Sequence, residues 1–157
     1  MQQYKKIYPS FSEGAYACVF FSDGFAIKVF KNRTDAPREH VDQVFSSEVR
    51  AYEVATSDEL LKTYVPQFFG KTCCGSIQDA SGLDISNEFH LDLSYTMKFV
   101  DGVFEKIGLN DPQLVQQFRL AGIRHTKDCS VVKENGAVKC IVDFAMEEYE
   151  LWHQEPR

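Results

Sequence analysis

Phe25-Ala26-Ile27-Lys28-Val29-Phe30 is the stretch on which the fold turns. Within it Lys28 ends the run Phe25-Ala26-Ile27-Lys28, which reads as a buried strand that delivers a single ammonium. An ammonium at a buried surface needs an acidic partner or an anion. The plain alternative is a lysine that snorkels at a strand end. Ser22-Asp23-Gly24 is a turn signal, so residues 16–21 and 25–30 are expected to pair as a hairpin. Before the hairpin lies a small-residue loop, Ser12-Glu13-Gly14-Ala15-Tyr16-Ala17-Cys18-Val19. After it, Asn32 to Arg38 is polar, contains Pro37 and reads as a loop. Residues 40–55 then carry a helical stripe at Val41, Val44, Phe45, Val49, Tyr52 and Ala55, and Glu48 rides on that helix.

The remaining segments follow from the same rules. Residues 4–9 read as a further strand, rich in aromatic and β-branched side chains. Pro66 ends whatever precedes it. Gly70 to Gly75 reads as a short strand and turn, and residues 77–88 are the most loop-like part of the chain. Phe89 to Val100 alternates apolar and polar residues, as one long strand or two, and Asp101-Gly102 breaks it. Asp111-Pro112 opens a second helix, with Asp at the cap and Pro at the first position. That helix is expected to reach about Ala121, with Gly122 at its left-handed end. Ser130 to Val132, a turn at Glu134-Asn135-Gly136, and Val138 to Val142 make a second hairpin. Tyr149 and Trp152 are spaced as one helical turn against a core. This order of elements is an α+β pattern.

Bulk properties narrow the function classes. A chain of 157 residues, 44% hydrophobic and 13% aromatic, supports one domain with an ordinary core. A net charge of -6 argues against nucleic acid as a partner, since that binding rests on cations that neutralise phosphates. No apolar run has the length of a membrane span, and Met1 to Lys6 lacks the apolar stretch of a signal peptide. The five cysteines are odd in number and form no CxxC pair, which suits a reduced compartment. A cytoplasmic protein that contacts neither membrane nor nucleic acid is the expectation, with signal-less secretion left open. Cys73-Cys74 reads as two neighbouring thiols in a loop.

Taken in order, the pieces resemble the protein kinase-like superfamily, from about Phe11 to Ala145. The resemblance implies a kinase-like N-lobe, an antiparallel sheet plus one helix in the place of kinase helix C. After it comes a reduced C-terminal part of one helix and a catalytic-loop-like hairpin. The chain would form one minimal domain, with a sheet-rich lobe over about 1–100 and a reduced second lobe over 101–157. Twelve residues follow Ala145, so the activation segment and helical lobe of a protein kinase are not expected.

The resemblance also assigns roles. Lys28 would hold phosphates of ATP and pair with Glu48, with Glu39 and Glu53 as alternatives. The glycine-loop pattern GxGxxGxV falls on Ser12, Gly14, Ala17 and Val19, and keeps only the middle glycine. Met97 would back the nucleotide cleft, and Lys98 to Val100, with Phe99, its adenine edge. Asp143-Phe144-Ala145 stands where kinases carry Asp-Phe-Gly. In the tract HxDxxxxN of aminoglycoside-phosphotransferase-like and sugar-kinase-like members, counting back from Asp143 puts the asparagine at Ser130 and the catalytic Asp at His125. Lys127 takes the place of a basic residue that reaches the transferred phosphate, and Asp128 is a second candidate base. Asp143 and Ser130 are the candidate Mg²⁺ ligands. The function implied is a pseudokinase-like binding module with a degenerate cleft. Its partner would be a protein: an active kinase, a toxin it neutralises or a host protein. The alternative is a minimal ATP-dependent phosphotransferase using His125 or Asp128. A small structural α+β domain with coincidental matches is the third reading.

Overall fold

The computed structural model describes residues 2–7 and 10–147. The chain runs β1 (Gln3–Lys5), β2 (Phe11–Glu13), β3 (Ala17–Ser22), β4 (Phe25–Lys31), α1 (Arg38–Ser57), β5 (Phe68–Thr72), β6 (Ser76–Gln78), β7 (Phe89–Lys98), α2 (Pro112–Leu120), β8 (Ser130–Glu134) and β9 (Ala137–Val142). Over the described residues it is an α+β fold with two α-helices and a five-stranded antiparallel sheet, ordered β2-β3-β4-β7-β5. By its internal contacts the chain divides into two units, Met1–Phe45 with Phe69–Phe99, and Ser46–Phe68 with Val100–Arg157. The second half of α1 therefore belongs with the later part of the chain, where the sequence draws a single boundary near residue 100.

In the first unit the β3–β4 hairpin sets the register. Asp23 and Gly24 both take positive φ, 50° and 84°, the geometry of a two-residue turn whose twist matches its strands. The pairing runs from Ala17 with Phe30 to Ser22 with Phe25. One face of the sheet buries Cys18, Phe20, Ile27 and Val29 against Cys74, Ile77, Ile85 and Phe89. Tyr4 stacks on Phe20 at 5.6 Å between ring centres. Tyr4 comes from β1, which pairs in parallel with β6 and stands outside the five-stranded sheet. The expected strand over 4–9 is thus confined to Gln3–Lys5, and residues 8 and 9 lie outside the described ones. Nor is 77–88 all loop. It holds most of β6 and a 3-10 turn at Ser86–Glu88, because Ile77 and Ile85 are drawn into the core. On the other face Phe30, Phe45 and Tyr95 pack together, with centroid distances of 5.5 to 6.3 Å.

In the second unit Tyr52 of α1 is wholly buried, with its ring 5.2 Å from Phe68 and 4.4 Å from Phe144. Phe118 of α2 meets Phe144 edge-on at 5.3 Å. Asp111 caps α2, its carboxylate accepting from the N–H groups of Gln113 and Leu114. Gly122 follows at φ 91°. The β8–β9 turn uses Asn135 and Gly136 at φ 55° and 80°. Tyr149 and Trp152 lie outside the described residues. Among those described, no helix is long and apolar enough to cross a membrane.

The first turn of α1 is tied to β7 by a three-membered cluster. Arg38 donates from Nη1 to His90 Nδ1 at 3.3 Å and to Asp92 Oδ1 at 3.1 Å, and from Nη2 to Asp92 Oδ2 at 2.5 Å. A guanidinium only donates, so His90 Nδ1 accepts and the ring proton sits on Nε2. Burial first, and then the Arg38 charge, lower the His90 pKa below its ordinary value. The folded chain therefore binds this proton less readily than the unfolded one. The contribution is intact above the ordinary histidine value of about 6.5 and is lost as pH falls below it, through the lowered folded value. Arg38 holds the Asp92 carboxyl below its usual range, so that linkage is lost only at lower pH. In urea titrations at pH 7.5 and 5.5, the wild type is expected to lose stability at the lower pH and His90→Gln to lose less. Equal losses would place the sensitivity elsewhere.

Candidate functional site

Cross-strand partners share a face of a sheet. Val19, Lys28 and Tyr95 form one row across β3, β4 and β7, and Phe21, Ala26 and Met97 form the next. The candidates Val19, Lys28 and Met97 therefore project from one face, together with Ala17. Lys28 is only 8% exposed. Its Nζ lies 5.4 Å from the centre of the Phe30 ring and 5.9 Å from that of Tyr95, within reach of both π faces. Phe99 follows β7, donates from its N–H to the Gly24 carbonyl at 2.8 Å, and sets its exposed ring edge-on to Phe21. Gly14 lies in the β2–β3 loop, where its N–H donates to the Ala17 carbonyl at 2.9 Å.

Glu48 and Asp143 belong to the second unit. Glu48 is buried on α1, one turn before Tyr52. The Tyr52 hydroxyl accepts from the Asp143 N–H at 3.3 Å. Burial, then the Asp143 carboxylate, push the Tyr52 hydroxyl well above its ordinary pKa, so it stays protonated. Asp143 itself sits at φ 66°, a left-handed conformation that costs a side-chain residue about 1 kcal/mol. Ser130 and Asp143 come together because Ser130 pairs with Val142 at the open end of the β8–β9 hairpin. Ser130 Oγ donates to Asp143 Oδ2 at 3.3 Å.

That donor set fits Mg²⁺ poorly. It pairs one carboxylate with one neutral hydroxyl, where the ion prefers an octahedron of oxygens built on one or two carboxylates and substrate phosphates. Among the described residues no group of three His, Cys, Asp or Glu side chains gathers to hold a metal.

The tract 123–130 is fixed by its backbone. His125 and Ala145 exchange two N–H···O bonds, each of 3.1 Å. The His125 side chain is 13% exposed, its Nδ1 is buried, and its Nε2 faces Asp128 Oδ2 at 3.6 Å. Asp128, 47% exposed in its side chain, is the outward member of the pair. Lys127 is exposed. Of the two candidate bases, Asp128 is the one placed to meet a solute.

Two residues here carry weight that the sequence reading did not give them. Tyr52 reads as one member of an apolar stripe, and nothing local announces its hydroxyl bond to Asp143. Gly108 lies in a stretch without periodicity, and its identity was the only signal. Its N–H donates to the Cys129 carbonyl, and that of Leu109 to the Thr126 carbonyl, both at 3.0 Å. Gly108 is at φ 74°, and a Cβ on it would come within 2.3 Å of the Lys127 carbonyl oxygen. The thiols offer no nucleophile among the buried set. Burial pushes Cys18, Cys74 and Cys140 up to about 11 and Cys129 up to about 12. Cys73 is exposed, and all five cysteines are free.

Gly108→Ala is expected to destabilise by about 2–3 kcal/mol, through the clash and the left-handed backbone together. The urea midpoint should fall at unchanged m-value. A neutral result would mean that residues 105–109 do not brace the 126–129 loop.

Compared with protein families, with curated proteins and with solved structures, the chain matches none.

Proposed function

We propose that the chain is a degenerate relative of the protein kinase-like superfamily that works as a binding module, contacting a partner protein without transferring phosphate. One observation carries the reading. The third strand of the five-stranded sheet, β4, holds buried Lys28 on the same face as Val19 and Met97, and a glutamate-bearing helix follows it directly. A kinase-like lobe places its phosphate-binding lysine on such a strand and the partner glutamate on the helix. The identities at the far end of the chain favour binding over catalysis. His125 stands where the catalytic carboxylate is required, with one ring nitrogen buried and the other turned to Asp128. Ser130 supplies a weak hydroxyl oxygen beside Asp143. The partner classes in keeping with this reading are an active kinase, a toxin and a host protein.

A thermal-shift titration with ATP, with and without Mg²⁺, tests it. The binding-module reading expects no shift at millimolar nucleotide, with a partner retained equally by wild type and Lys28→Met in a pull-down from the native source. A ligand at about 100 times its Kd would stabilise by about 2.7 kcal/mol, a shift easily seen.

A second reading, a minimal phosphotransferase, is favoured by one feature. The exposed Asp128 carboxylate beside His125 is placed to accept the proton of a substrate hydroxyl. It expects phosphate transfer that Asp128→Asn abolishes and that Lys28→Met and Asp143→Asn weaken. Turnover with that pattern would overturn the binding-only reading. Turnover unchanged in Asp128→Asn would remove Asp128 as the base.

A further inference from the structure

We propose that residues 13–16, where β2 ends and the loop to β3 begins, form a latched segment, held in one conformation by side chains from the end of β4 and the residues after it, and released when those ionic contacts are screened or removed. Four consecutive residues, Glu13 at the end of β2 and Gly14 to Tyr16 in the loop after it, are each gripped by a side chain distant in sequence. The Glu13 carboxylate lies between Lys6 at 2.9 Å and Lys31 at 2.5 Å. Lys31 Nζ also donates to the Gly14 carbonyl at 2.7 Å. Arg33 Nη1 donates to the Ala15 carbonyl at 3.1 Å, while a two-pronged bond to Asp35 holds the guanidinium in place. That guanidinium lies 5.0 Å from the centre of the Tyr16 ring, and the Tyr16 hydroxyl meets His40 Nε2 at 3.3 Å.

The cleft beside these contacts, about 400 Å³, is lined by Lys6, Lys31 and Arg33 against Glu13, Asp35 and Glu88. Its charges balance, so they serve the chain's own loop and offer no net charge to a foreign ion. The groups are also partly open to solvent, with Lys31 22% and Glu13 40% exposed. Ion pairs so exposed are individually weak and yield to salt.

Gly14 points to a second conformation. Its φ lies outside the left-handed region, and a Cβ would come no closer than 3.7 Å, to the Ala17 carbonyl oxygen. The latched loop has no use for glycine's freedom, whereas a released loop could use it. Release would loosen the backbone beside Ala17 and Val19, the β3 residues that share the Lys28 face. The latch stands apart from the kinase-like reading, because its readout needs no nucleotide.

Amide exchange followed by mass spectrometry on the full chain tests the proposal, with β4 amides as internal reference. In Lys31→Met/Arg33→Met, amides of residues 13–17 are expected to exchange at least tenfold faster while those of residues 25–29 in β4 are unchanged, since the residue 31 N–H itself bonds to the Tyr16 carbonyl. In the wild type, 1 M NaCl is expected to reproduce the acceleration, so the test survives if the double variant fails to fold. Gly14→Ala is expected to keep the loop slow in high salt. Loop exchange indifferent to salt and to the double substitution would overturn the latch. Salt-accelerated exchange in Gly14→Ala equal to wild type would overturn the second conformation.

Discussion

A charge set into an apolar sheet dictates what is built around it. The Lys28 ammonium is nearly closed to water, and desolvating a cation costs several kcal/mol unless other groups replace its hydration. Part of that replacement is visible in the first unit, in the faces of Phe30 and Tyr95 beneath it. The aromatic density of this face therefore has an electrostatic purpose beyond packing. Phe30 and Tyr95, both packed against Phe45, form the aromatic floor under the ammonium.

The second unit solves a different problem. Asp143 adopts a backbone conformation that aspartate tolerates at some cost, and the surroundings over-determine it. The β8–β9 ladder leads into it, Ser130 holds its carboxylate, and the Tyr52 hydroxyl holds its N–H. The rings of Phe68, Tyr52, Phe144 and Phe118 follow one another through the core of this unit, so residues of both helices, a strand residue and the turn after β9 pack together. The same residues that give the turn its shape leave it with few oxygen donors. That is why the chemistry of the site reads as weaker than its architecture.

Much of the fold was legible because its signals are local. Asp23-Gly24 and Asn135-Gly136 each fix a hairpin through two positive φ angles, and Asp111-Pro112 fixes the start of α2 through a cap bond. The α1 stripe was visible from Val41 to Ala55, and the helix starts at Arg38 and ends at Ser57, just beyond the stripe at each end. Period-2 alternation alone puts Val19, Lys28 and Met97 each on a definite face of its strand, and the register places all three on one face of the sheet. What escaped depends on partners remote in sequence. The parallel pairing of β1 with β6 has no turn to announce it. The Tyr52 hydroxyl is hidden within an apolar stripe, and the approach of Gly108 to the Lys127 carbonyl is a tertiary fact. Position alone makes His125 a candidate base, and the burial of its Nδ1 is set by residues remote in sequence.

The pairing of Gln3 with Ser76 has a kinetic consequence. Hairpins close in microseconds, because their ends are never far apart, whereas a long loop must lose much of its freedom before its ends can meet. The earliest strand of the chain is thus among the last to dock. Until β6 emerges, Tyr4 has no fixed seat and Phe20 remains uncovered on that side. During synthesis, the interval between these two events leaves apolar surface open to self-association.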